Sequence, residues 1–272
     1  MSLRIQNNVE AFSAHRQLTH TSELQAKSMQ KLSSGYRINR AADDAAGLAI
    51  SEKLRAQVSG LDQASRNAQD AISLVQTAEG AMSEVHTMLQ RLRDLAVQYN
   101  NGTLSSSDQT AITDEVGQLC AEVNRIGADT KFNGIALLTG TSSITFQIGA
   151  EAGQTLAVSG IGMFGAGSSF KIDSAVFSFS GTVNLSNIDT AISNVSSARS
   201  TFGAVQNRLE HTLNNISSYQ ENLQASESRI RDVDMAKEMV NFTKLQILQQ
   251  AGTAMLAQAN QFPQSVLSLL KG

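Results

Sequence analysis

The chain has 272 residues and a net charge of −3; only 5% of its residues are aromatic and none is tryptophan. That length suits one large or two ordinary domains, but so few large rings argue against a broad globular core. Lys and Arg are scattered, with no basic stripe to neutralise phosphates, so nucleic acid is not an expected partner. The lone Cys120 excludes an intramolecular disulfide, and its place on an apolar helix face makes it a small hydrophobe. The only proline is Pro263, so almost nothing interrupts helices.

In chain order, the first nine residues contain neither a basic segment followed by an apolar core nor a small-residue cleavage site, and no Sec-type leader is expected. Residues 1 to about 33 read as a helical arm, with Ile5, Val9 and Phe12 spaced by four and three, then Leu18, Leu24, Met29 and Leu32 in a looser series. From Ser33 to Gly47 small and charged residues replace the apolar period. This is a non-helical connector, with Asp43 or Asp44 placed to cap the next helix and Arg37 and Arg40 placed to pair with those carboxylates.

A strict heptad ladder follows: Leu54, Leu61, Ala68, Val75, Met82, Leu89 and Ala96, with Ile50, Ala64, Ala71, Ala78, Val85, Leu92 and Tyr99 filling the seam. It predicts a helix from about Asp44 to Tyr99, about 80 Å long at 1.5 Å per residue, ending before Asn100-Asn101-Gly102, with Gly60 and Gly80 as tolerated interruptions. A shorter helix starts after Ser105-Ser106-Ser107-Asp108, carries Ile112, Val116, Leu119, Val123 and Ile126, and stops at Gly127.

From about 135 to 182 the period becomes two. Ile144, Phe146 and Ile148 alternate with polar residues, Gly149 to Gly153 supplies a turn, Leu156 and Val158 alternate again, and Phe177 and Phe179 suggest another strand. A second ladder returns through Ile188, Val195, Phe202, Leu209, Ile216, Leu223 and Ile230, with Ala191, Ala198, Val205, Tyr219 and Val233 between. Its phase breaks near Asp232-Val233-Asp234, a stutter that marks a hinge opposite the first connector if the chain folds back.

The C-terminal helix then carries Leu248, Met255, Phe262 and Leu269 at sevens, with Leu245, Ala259 and Val266 between. No charge occurs between Leu245 and Leu270, yet the glutamines and Asn260 in that stretch would need partners in hydrocarbon, so membrane insertion is not expected. The expected fold is mainly α. A long antiparallel helical rod at 44–234 carries a small β-hairpin region at about 135–182, and residues 1–43 and 235–272 pair as terminal helices in one discontinuous domain.

The chemistry of catalysis is missing. His15, His20, His86 and His211 are scattered without a second ligand at metal spacing, and there is no phosphate-cradling glycine loop or nucleophile elbow. No enzyme activity, metal or cofactor is expected.

The connector run Lys31-Leu32-Ser33-Ser34-Gly35-Tyr36-Arg37-Ile38-Asn39-Arg40-Ala41-Ala42-Asp43-Asp44-Ala45-Ala46-Gly47-Leu48-Ala49-Ile50 resembles the N-terminal signature of bacterial flagellins. So do residues 61–70, Gln76 to Met82, Lys131-Phe132-Asn133-Gly134, Ser228-Arg229-Ile230-Arg231-Asp232-Val233-Asp234 and Gln258-Ala259-Asn260-Gln261. The resemblance implies a secreted subunit that polymerises with itself into the extracellular flagellar filament for swimming. Its terminal helices would form the innermost tube and the helical rod the next shell, without the outer domains inserted in longer relatives. A hook–filament junction protein is the alternative.

The resemblance also implies export, unfolded, through the flagellar type III apparatus, and a chaperone on the C-terminal helix at Leu245, Leu248, Met255, Ala259, Phe262, Val266 and Leu269. Ile5, Val9 and Phe12 would serve the N-terminal core helix, with growth beneath a cap complex and above hook-junction proteins. By position, Arg91, Leu95 and Glu115 match a patch bound by an animal innate immune receptor. Residues 30–51 match an epitope sensed by a plant receptor kinase, with departures at Tyr36 and Ala42.

Overall fold

The computed structural model describes residues 8–139, 143–159 and 184–271. Five helices dominate: α1 (Val9–Ser34), α2 (Ala45–Tyr99), α3 (Ser106–Asp129), α4 (Leu185–Arg231) and α5 (Met235–Lys271). Among the described residues, four short strands lie between α3 and α4: β1 (Lys131–Phe132), β2 (Ile135–Ala136), β3 (Ser143–Gln147) and β4 (Thr155–Ser159). The chain divides into two compact units, Gln57–Glu221 and a discontinuous terminal unit of Met1–Ala56 with Asn222–Gly272. The division falls inside α2 and α4 rather than at the connectors, because both connectors bond to the helix ends beside them.

In the 57–221 unit the heptads do what their period requires. Leu61, Ala68, Val75, Met82, Leu89 and Ala96 of α2 are buried, and so are Ile188, Val195, Phe202, Leu209 and Ile216 of α4. Alanine at 64, 71, 78, 191 and 198 fills the intervening seam positions, and all five are buried. Three polar contacts hold α2 and α4 antiparallel within this unit: Gln220 to Asp62 at 2.8 Å, Arg199 to Glu79 at 3.6 Å and Arg93 to Asp189 at 2.7 Å. Exposed pairs of this kind fix register more than they add stability. Tyr219, which the ladder places in the seam, is instead exposed, as is Ile50 in the terminal unit.

Helix α3 begins with a capping box in which the Ser105 hydroxyl accepts from the Asp108 backbone N–H, while the Asp108 carboxylate accepts from Ser105. Those bonds hold the Asp108 carboxyl below its usual range. Ile112, Val116, Cys120 and Val123 face the core; Leu119 and Ile126 flank it. The helix does not stop at Gly127, which is buried within it, but runs on to Asp129. Burial also pushes the Cys120 thiol up to about 11, in keeping with a packing role.

The first hairpin starts earlier than the period-two pattern implies, because β1 and β2 pair around Asn133-Gly134. Both turn residues have positive φ, 49° and 80°, as a two-residue hairpin loop demands. Strands β3 and β4 pair Ile144 with Val158 and Phe146 with Leu156, putting the alternating apolar residues on one face. The turn after β3 lies against α2, and a Cβ on Gly60 would sit 3.0 Å from that of Ala150. Gly60 therefore permits a close approach rather than merely being tolerated. Asn67 adds a hydrogen bond to the Gln147 carbonyl at 2.9 Å. Phe177 and Phe179, together with Ile5 and the side chains of Phe262, Val266 and Leu269, lie outside the described residues.

Candidate assembly interface

Within the terminal unit α1 and α5 pack together antiparallel: Asn8 donates to the Ala259 carbonyl at 2.8 Å near one end, and Ser28 to Glu238 near the other. Gly252 lies between these points, where a Cβ would be 3.1 Å from Leu18. Along α1 the less exposed Ala11, Ala14, Leu18, Thr21, Gln25, Ser28 and Leu32 follow a four-three alternation, joined by Gln30 and Lys31 in the last turns. The less exposed positions of α5 are Glu238, Phe242, Leu245, Gln249, Gly252, Leu256 and Ala259, again four-three. This seam is a heptad written largely in small and polar residues.

The expected apolar positions divide accordingly. Leu245 and Ala259 face α1, while Leu248 and Met255 point away from it and are exposed. Val9 and Phe12 are also exposed, Phe12 by 71%. Met239, Val240, Ile247 and Leu248, with Thr243 and Lys244 among them, line a shallow, mostly apolar groove on α5. Large apolar side chains rarely gather on a water-facing surface unless something covers them.

The two connectors meet in a short reciprocal ladder inside the same unit. Gly35 caps α1 with φ 75°, Arg37 N–H donates to the Arg231 carbonyl at 2.6 Å, and Val233 N–H donates to the Gly35 carbonyl at 3.0 Å. Tyr36 and Asp232 form the bridge between them. The Arg231 guanidinium stacks over the Tyr36 ring, 4.7 Å from its centroid, and reaches Glu52 at 2.6 Å. Arg55 to Glu227 at 3.1 Å adds a second ion pair.

The expected pairing of Arg37 and Arg40 with Asp43 and Asp44 is not what forms. Arg37 donates its side chain to the Ile230 carbonyl at 2.6 Å, because that helix end leaves carbonyls without intrahelical partners. Asp43 accepts from the backbone N–H groups of Arg40 and Asn39, which lower its pKa. Asp44 caps α2 as expected, accepting from the Gly47 N–H at 2.8 Å. Removing the Arg231 side chain, in Arg231→Ala, is expected to weaken this junction by about 1–2 kcal/mol. Hydrogen exchange at the Arg37 and Val233 amides should then quicken, whereas unchanged exchange would mean the helix ends alone hold the ladder.

In the 57–221 unit, Arg91 and Glu115 pair at 2.7 Å between the exposed faces of α2 and α3. Leu95, one turn further along α2, is buried in the core instead. A surface patch here therefore presents the ion pair but not that leucine. Among the described residues no His, Cys, Asp and Glu side chains gather as metal ligands, and no helix is long and apolar enough to cross a membrane.

Known proteins resemble this chain along nearly its whole length. Residues 5–143 match the family described as bacterial flagellin N-terminal helical region, and residues 185–270 match bacterial flagellin C-terminal helical region. A flagellin of Halalkalibacterium halodurans is 52% identical over 270 residues, covering 98% of this chain and 99% of that one. A flagellin of Bacillus subtilis is 47% identical, covering 99% of this chain and all of the other. A crystal structure of Bacillus cereus flagellin is 31% identical over 60% of this chain and 94% of its own, with a TM-score of 0.47. With one family spanning both helical ends and the relatives matched over nearly their whole length, the chain belongs to the bacterial flagellins, the structural subunits of the flagellar filament.

Proposed function

We propose that the terminal unit carries the polymerising contacts, with α1 and α5 forming the inner tube and the outward faces of both helices meeting neighbouring copies. One observation supports this above the rest: Val240, Ile247, Leu248 and Met255 of α5 stay exposed although α5 is already packed on α1 through other positions. Covering an apolar face of this kind is worth roughly 25 cal/mol per Å², enough for many small faces to hold a polymer. The same face, including Leu248 and Met255, would receive the export chaperone before assembly, with Leu245 and Ala259 reached only when α5 leaves α1. Val9 and Phe12 would supply the matching apolar positions on the N-terminal helix.

On this reading the chain is secreted unfolded through the flagellar type III apparatus, is added beneath a cap complex and is seated above hook-junction proteins. It catalyses no reaction. Arg91 and Glu115 would serve contacts between subunits first and innate immune receptors second. The test is seeded growth: purified, heat-dissociated chain added to sheared filament fragments is expected to elongate them into long tubes under the electron microscope. Failure to elongate at any salt concentration would overturn the filament role.

A further inference from the structure

The seam of α4 changes character towards its C-terminal end. Ala191, Ala198 and Val205 fill it, but at the same spacing come next Thr212, half-buried, and Tyr219, which is 48% exposed. Here a cleft of about 600 Å³ opens between the β3–β4 turn, α2 and α4, wholly within the 57–221 unit. Its volume falls in the range of small-molecule sites, about 300–1,000 Å³.

The floor of the cleft is apolar, since Leu61 and Ile216 are buried and Ile148 is half-buried. His211, Asn215 and Tyr219 recur at every fourth residue and so lie along one stripe of α4. The side chains of these three form no hydrogen bond with another described residue. Gln154 and Thr155 line the cleft from the strand side, and Gln154 uses only its oxygen, accepting from the Glu151 N–H at 3.3 Å. Two glycines shape the turn at this edge. Gly153 has φ 89°, and a Cβ on Gly149 would collide with the Gln154 side chain.

We infer that this cleft binds a neutral saccharide of one or two rings. No Asp, Glu, Lys or Arg lines it, so a carboxylate, phosphate or ammonium ligand would meet no opposite charge. A wholly apolar ligand would strip water from Asn215 and Gln154 and give their amides no partner. A sugar ring answers both halves of the lining. Its C–H face packs on the Tyr219 ring and the apolar floor, while its hydroxyls donate to and accept from the amides of Asn215 and Gln154 and the Tyr219 hydroxyl. The inference does not rest on the assembly role given to α1 and α5, because no residue of the cleft lies in the terminal unit.

The experiment uses the full, heat-dissociated chain with lactose, maltose and N,N′-diacetylchitobiose as probes, read by saturation-transfer NMR and titration. At least one of them should receive saturation, strongest at the C–H protons of one ring face, with a dissociation constant of about 0.1–10 mM. Tyr219→Ala and Asn215→Ala should each weaken binding at least about tenfold without changing the circular dichroism spectrum, since both side chains are exposed. Tyr219→Phe keeps the stacking ring and should retain most of the affinity. If Tyr219→Ala fails to fold, Asn215→Ala and Tyr219→Phe carry the comparison. No saturation of any of the three sugars overturns the inference, and so does binding that survives Asn215→Ala undiminished. Tyr219 shielded from nitration on polymerisation, with no sugar bound by the free chain, would assign the cleft to a neighbouring copy and overturn it too.

Discussion

A chain ending at Asp234 is expected to lose filament growth while its 57–221 unit still unfolds as one cooperative body. The deletion removes the whole of α5 and with it both the partner of α1 and the exposed set Met239, Val240, Ile247, Leu248 and Met255. It leaves untouched the buried cluster that runs from Ala68 to Leu209, none of whose members lies in the terminal unit. Elongation should fall by at least about a hundredfold, equivalent to about 2.7 kcal/mol of contact per added subunit. Urea denaturation followed by circular dichroism should show the second unit with its midpoint nearly unchanged. Truncated chains that still grow on seeds would move the polymerising contacts elsewhere in the molecule.

The largest single-residue effect on stability is expected at Phe202. Its ring is 2% exposed and belongs to the core cluster shared by α2, α3, α4 and the hairpins. Cys120 and the many alanines of the seam are too small to fill the space a missing ring leaves, so Phe202→Ala should cost about 3–5 kcal/mol. A urea midpoint that drops with an unchanged slope would report that loss; an unchanged midpoint would mean the core collapses around the gap. For a unit of marginal stability this is enough to unfold a large share of the molecules at 25 °C.

Much of the long-helix framework was legible because its cause is local. The end of α2 at Tyr99 follows from Asn100-Asn101-Gly102, the start of α3 from Ser105 and Asp108, and the β3–β4 pairing from a period of two. The break between α4 and α5 follows from the phase of the second ladder. What escaped the pattern depends on residues far apart in the chain. Arg37 bonds to the carbonyl of Ile230, 193 positions away, and nothing around Arg37 announces that partner. Gly60 makes sense only once the turn at Ala150 is laid against it.

The terminal helices were harder for a different reason. Apolar spacing picks out Val9, Phe12, Leu248 and Met255 together with Leu18, Leu245 and Ala259, and does not separate those that face the partner helix from those that do not. The seam of α1 keeps Leu18 and Leu32 from the apolar series but is otherwise built of Ala11, Ala14, Thr21, Gln25 and Ser28, which a hydrophobicity pattern passes over. Val9, Phe12, Leu248 and Met255 stay exposed, on the faces proposed above to meet neighbouring copies.

On that reading the stability of the terminal unit depends on how crowded the solution is. A slender seam with many small and polar residues contributes modestly to one molecule in isolation; on the proposed assembly role the outward apolar face contributes only once a neighbour arrives, so its free energy would scale with the logarithm of subunit concentration. Diluted chains should therefore open at α1 and α5 long before the 57–221 unit is disturbed. If these helices carry the polymerising contacts, they should close above a threshold concentration as growth starts, and polymerisation would then show a critical point rather than a gradual accumulation of pairs.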